Sequence, residues 1–176
     1  MVGTKVMDIT EVILYQHHEQ RRMFATLDEI DSTDTERLSA VWRQLAILLD
    51  IHAKAEEHYF YPALLRLGQG PKGENGPDDE TEDAIKDHNE IRDAITQTDS
   101  HPVGTQDWWK GIRTTRVANG DHMAEEERDD LADFRRHADL SERHDVAVEF
   151  LGYIAQHAAG IHSRNPDPAS YVAEHS

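Results

Sequence analysis

Two short boxes in this chain carry a histidine and a glutamate four residues apart: His52-Ala53-Lys54-Ala55-Glu56 and His122-Met123-Ala124-Glu125-Glu126. On a helix, residues four apart lie one above the other, about 5–6 Å between Cβ atoms. Each box can therefore offer an imidazole and a carboxylate to one metal ion, or to two if the carboxylate bridges. A lone histidine pair precedes the first box (His17-His18), and His88 precedes the second. His17 to His52 is 35 residues and His88 to His122 is 34. The order lone His, then HxxxE, is thus repeated, as an internal duplication would leave it.

These residues need helices to position them. A first helix is expected from Asp8 or Thr10, either able to cap it, to about Asp31. Its apolar stripe is Ile9, Ile13, His17, Gln20, Phe24 and Leu27, with His18 one step to the side beside Leu14. A second, over roughly 35–65, carries Leu38, Val41, Leu45, Leu48/Leu49, His52, Glu56 and Tyr59, and Pro62 should kink or end it. Residues 68–77, rich in Gly and Pro, read as a loop. A third helix, about 79–98, turns Ala84, His88, Ile91 and Ile95 inward behind an acidic first turn that suits the helix dipole. A fourth, about 105–136, carries Trp108, Ile112, Thr115, Asn119, His122 and Glu126. Gly120 within it either allows a close helix approach or splits the segment. A fifth, about 142–162, carries Val146, Phe150, Tyr153, His157 and Ile161. The tail around 163–168 is expected to be loosely ordered. The fold class is all-α, a four-helix up-and-down bundle with an additional C-terminal helix. It forms one domain over 1–176, with a ligand-bearing bundle at about 8–137.

Composition narrows the chemistry. The net charge of −17 argues against a general binder of nucleic acid or anionic membranes. There is no cysteine, which removes thiolate metal sites, iron–sulfur clusters and disulfides. Histidine and carboxylate ligands suit non-haem iron or manganese. No apolar stretch reaches the roughly 20 residues of a membrane helix, and the N-terminus lacks a signal-peptide pattern, so a cytoplasmic location is expected.

Pointed into a bundle core, His17, His52, Glu56, His88, His122 and Glu126 supply four imidazoles and two carboxylates, enough for two metal ions with two histidines each. The other polar residues have plainer readings. Glu57, Glu125 and Glu127 are expected to face water, and Arg92 to be solvated or paired with a carboxylate. His58 and His144 read as surface or supporting residues, and His157 as a core histidine. Tyr59, sharing a face with residues 52 and 56, is a better supporting residue than Tyr61. Trp108 and Trp109 should close the far end of the bundle. No residue stands out as a general acid or base beyond the metal centre.

The segments DITEVILYQHHEQRRMF, HAKAEEHYFYPAL, DAIKDHNEIRDAI and HMAEEERDDLADF resemble the hemerythrin-like, HHE cation-binding family over roughly residues 8–137. On that register His17 is the ligand of its pair. Gln16 stands where an acidic residue is usual, and Ala132 where the first copy has Pro62. The resemblance implies a non-haem pair of iron ions, oxo- or hydroxo-bridged, or another divalent metal, with Glu56 and Glu126 bridging. The small-molecule partners implied are hydrogen peroxide, dioxygen or nitric oxide. Oxygen-carrying hemerythrins have a second histidine where this chain has Arg92, and HxxxxD where it has HxxxE. The chain is short of imidazoles for reversible oxygen carriage unless His18 or His157 compensates. That favours catalase-like decomposition of peroxide in oxidative stress. The alternative is a non-enzymatic protein that binds, senses or stores oxygen, nitric oxide or iron.

Overall fold

The structure is a computed structural model that describes residues 6–70 and 76–176. Among the described residues, eight α-helices run in the order α1 (Ile9–Glu29), α2 (Thr35–Ala55), α3 (Tyr61–Leu67), α4 (Pro77–Asp99), α5 (Gln106–Arg128), α6 (Asp130–His137), α7 (Leu140–Gln156) and α8 (Pro168–His175). A single π-helical turn, Glu56–Phe60, joins α2 to α3. No strand occurs among the described residues. The expected all-α four-helix bundle is present, with two helices beyond it. Residues 71–75 of the expected loop lie outside the described residues.

The helix starts follow local chemistry. The Asp8 carboxylate accepts from the Thr10 N–H (3.0 Å) and caps α1. Asp34 caps α2 through the Arg37 N–H, and Thr105 caps α5 through the Trp108 N–H. These side chains satisfy donors that a helix N-terminus leaves orphaned.

Two apolar clusters divide the bundle. One gathers Ile9, Ile13, Phe60, Tyr61, Leu64, Ile85, Leu131, Phe134 and Phe150. The other gathers Phe24, Leu27, Leu38, Trp42, Leu45, Leu49, Ile91, Trp108 and Ile112. On α1, α2 and α4 the candidate histidine lies between residues of the two clusters, and His122 lies between Ile112 of α5 and Leu131 of α6. The histidines therefore form one polar layer between two dry ones. Trp108, edge-on to Trp42 with ring centroids 6.3 Å apart, belongs to the cluster away from the glutamates, as expected.

Four expectations change. The fourth segment runs straight through Gly120, and a Cβ built there meets nothing within 4 Å. The close approach is at Gly111 instead, where a Cβ would stand 3.0 Å from the Thr98 Cα. The break comes at Asp129, between α5 and α6. The helix expected to reach 162 stops at Gln156 with His157 as its cap. The tail is ordered in part: Asp167 caps α8 through the Ser170 N–H, and Tyr171 is buried.

The π-helical turn has a sequence cause. A proline ring clashes with the carbonyl four residues before it and brings no N–H. With proline at 62, the Tyr61 N–H reaches back five residues to the Glu56 carbonyl. The wider turn carries Tyr61, rather than Tyr59, into the buried interior. Such π-bulges are frequent at functional sites.

Candidate metal centre

His17, His52, Glu56, His88, His122 and Glu126 come together, and none is more than 3% exposed. Their inner atoms form two groups able to hold a metal ion. One is His17, His52, Glu56 and Glu126; the other is Glu56, His88 and His122. Glu56 is common to both. His52 Nε2 lies 2.8 Å from Glu56 Oε1, and His88 Nε2 lies 3.3 Å from Glu56 Oε2. His17 Nε2 lies 3.2 Å from Glu126 Oε2. His88 and His122 face one another Nε2 to Nε2 at 3.1 Å.

These spacings suit a metal. Neighbouring ligands about 2.1 Å from a first-row ion stand about 3 Å apart. His17 Nε2, His52 Nε2, both oxygens of Glu56 and Glu126 Oε2 are buried without a hydrogen-bond partner. Buried polar atoms are normally satisfied, because leaving one bare costs about 1–3 kcal/mol. A convergent set of bare nitrogens and carboxylate oxygens is what a cation would satisfy. The residues fit.

Each histidine is held from behind. His17 Nδ1 donates to Glu127 Oε1 (2.9 Å), His88 Nδ1 to Glu57 Oε1 (3.2 Å) and His52 Nδ1 to Gln16 Oε1 (2.7 Å). His122 Nδ1 lies 3.6 Å from the Asp87 carboxylate. An oxygen acceptor at Nδ1 keeps the proton there and turns the Nε2 lone pair inward. Arg21 then grips Glu127 at 2.7 Å, while Arg92 grips both Glu57 and Asp50.

This outer set obeys the same duplication as the inner one. Gln16-His17-His18-Glu19-Gln20-Arg21 matches Asp87-His88-Asn89-Glu90-Ile91-Arg92. In each copy the residue before the lone histidine holds the box histidine, and the arginine four after it grips the second glutamate of the opposite box. Glu57 and Glu127, expected to face water, are therefore corrected. Glu57 is fully buried, and Glu127 is half-buried against His17. The paired EE of each box was the available signal. Arg92 is paired, one of the two readings given for it.

Tyrosine is the other correction. Tyr59 packs against His58 and Tyr153, whereas the buried Tyr61 hydroxyl donates to Glu126 Oε1 at 3.0 Å. The π-helical turn shifts the register by one residue and exchanges the two. His18 is exposed, and His157 stacks on Tyr153 at the end of α7 with Nδ1 2.9 Å from the Tyr153 carbonyl. Neither is in the two metal-holding groups. α7 instead lays the buried Phe150 ring edge-on against His52, centroids 5.8 Å apart.

Electrostatics follow the pairing. Burial works to discharge His17, but the carboxylates of Glu126 and Glu127, close to its two ring nitrogens, overcome it and raise the group to about 9. His88 is raised to about 9 by Glu56 and Glu57 against the same burial penalty. Glu57, which burial alone would push up, is held at about 2 by His88, Arg92 and Lys54. Asp130, one turn beyond Glu126, is pushed well up by burial and the neighbouring carboxylates. A surface cavity of about 660 Å³ lies elsewhere, between Trp42 and Trp108, and meets this network at Asp50 and Arg92.

The hemerythrin HHE cation-binding domain model matches residues 8–134. The chain belongs to the hemerythrin HHE cation-binding family. The match ends inside α6, so α7 and α8 are additions to the hemerythrin-like bundle. Among the curated proteins and the solved structures nothing matches the chain. No helix among the described residues is long and apolar enough to cross a membrane.

Proposed function

We propose that this hemerythrin-like chain holds two iron ions and decomposes hydrogen peroxide in a catalase-like way. Its ligands are His17, His52, Glu56 and Glu126 for one ion, and Glu56, His88 and His122 for the other. The observation that carries the reading is the pair of buried donor groups sharing Glu56. Two iron ions there would supply the two-electron exchange by which one peroxide is oxidised to dioxygen and a second is reduced to water.

The chain's own residues do the rest. Glu56 spans the two positions. Glu126 turns Oε2 toward His17 and gives Oε1 to the Tyr61 hydroxyl, which leaves the second group with three protein donors against four in the first. An ion held there would have one protein donor fewer, and a position left for a small oxidant would favour reaction over reversible carriage. Tyr61, whose hydroxyl is held well above its ordinary range by burial and by Glu126, keeps a proton at the Glu126 carboxylate. The two apolar clusters limit water around the layer, which strengthens every charge interaction within it.

The test is oxygen evolution on adding hydrogen peroxide to iron-loaded protein, compared with His52→Ala. Turnover in the wild type and its loss in the variant are expected. Full iron loading with no oxygen evolved would replace this reading by an iron, oxygen or nitric oxide binding, sensing or storage role.

A further inference from the structure

Among the described residues, the C-terminal segment is stapled along α4 by side chains. The Asn89 amide donates to the Pro166 carbonyl (2.8 Å), Asn165 to Asp93 (2.9 Å), and the Ser176 hydroxyl to Asp78 (3.4 Å). From α8, the buried Tyr171 hydroxyl donates to the main-chain carbonyl of Glu57. That carbonyl is a special one. The Tyr61 N–H, its partner in an α-helix, is taken by Glu56. The next amide along, its partner in a π-helix, belongs to Pro62 and has no hydrogen. The π-helical turn thus leaves one buried acceptor that no helical donor reaches, and Tyr171 fills it.

We propose that α8 is a latch on the metal-bearing turn, with Tyr171 a positioning residue that fixes the backbone between Glu56 and Tyr61. Holding the Glu57 carbonyl fixes the peptide from which Glu57 reaches His88, and it steadies Glu56 immediately before it. Tyr171 touches none of the six ligands, and it acts from a helix beyond the family match. The claim about metal retention rests on the proposed metal site; the claim about the turn does not.

The experiment compares full-length wild type, Tyr171→Phe and, as a control for loss of a phenol elsewhere, Tyr15→Phe on the exposed face of α1. Amide hydrogen exchange is followed on metal-free protein, and loss of bound cobalt(II) to a chelator on loaded protein. In Tyr171→Phe, exchange at residues 58–61 should rise about tenfold, the size of one lost hydrogen bond. Exchange in α1 and α5 should stay unchanged, and cobalt should leave several-fold faster. Tyr15→Phe should match wild type in both. Wild-type exchange at 58–61 in Tyr171→Phe would overturn the latch, and so would an acceleration spread equally over α1 and α5. Faster exchange with unchanged cobalt loss would overturn the positioning role. Failure of the wild type to take up cobalt would count against the metal site itself, while exchange would still decide the latch.

Discussion

Gln16 on α1 accepts a 2.7 Å hydrogen bond from His52 Nδ1 on α2, in the place where the second copy sets the Asp87 carboxylate behind His122. The lone histidine, the box histidine and glutamates, and the arginine four after the lone histidine recur in both halves. His52 is thus the one box histidine backed by a neutral group, which makes it the less electron-rich of the two. Removing the acceptor with Gln16→Ala should weaken metal binding about 10–100-fold, the usual cost of losing such a support. Gln16→Glu should bind at least as tightly as wild type. Metal titration checks both, and equal affinity in all three proteins would show that Gln16 does not orient His52.

Glu57 and Glu127 occupy equivalent places but different depths. Removing Glu57 leaves the Arg92 guanidinium buried and short of a counter-charge, a loss of roughly 3–5 kcal/mol. Glu127 faces solvent in part, and its partner Arg21 is exposed. Thermal melts of the metal-free variants should show Glu57→Ala far less stable than Glu127→Ala. Equal melting temperatures would mean that the burial difference carries no energy.

Much of this was legible in the sequence, and each miss has its own physical cause. The two HxxxE boxes, the matched spacing to His17 and His88, and the helical periodicity all survive folding because each depends on an ideal α-helix. Tyr59 and Tyr61 exchange roles because Pro62 forces a wide turn, and an ideal helical wheel has no such turn. Glu57 and Glu127 looked solvated because their neighbours Glu56 and Glu126 already hold the inner face. Only the fold shows that lone histidines from other helices, His88 and His17, reach across to them. The α8 tail lacked a long stripe, and its order comes from contacts with α4 that sequence periodicity does not encode.

Stability of the metal-free protein should fall on the alkaline side. His17 and His88 are raised from 6.5 to about 9 in the folded chain. Their stabilisation is complete below about pH 6.5 and is lost as pH climbs through 9. Metal binding must displace those protons and should remove most of this slope. Melting temperatures between pH 6.5 and 9.5 are expected to decline without metal and to stay nearly level with it. A level metal-free profile would contradict the charged pairing of His17 and His88.

Tyr61→Phe leaves Glu126 Oε1 without its donor while keeping the ring that packs edge-on against His88. Hydrogen bonds to charged groups contribute about 1.5–3 kcal/mol, so the metal-free melting temperature should drop by several degrees. Peroxide turnover per iron should fall with iron content unchanged. Unchanged turnover at full loading would remove Tyr61 from the proposed chemistry.

The most direct measurement is the number and identity of metal ions in protein purified from its native cells, read by elemental analysis against chain concentration. The account predicts about two irons per chain, together with the near-ultraviolet absorption of a bridged pair. It predicts loss of both ions in Glu56→Ala, since both groups use that carboxylate. Zinc in place of iron, or one ion per chain that survives Glu56→Ala, would contradict it.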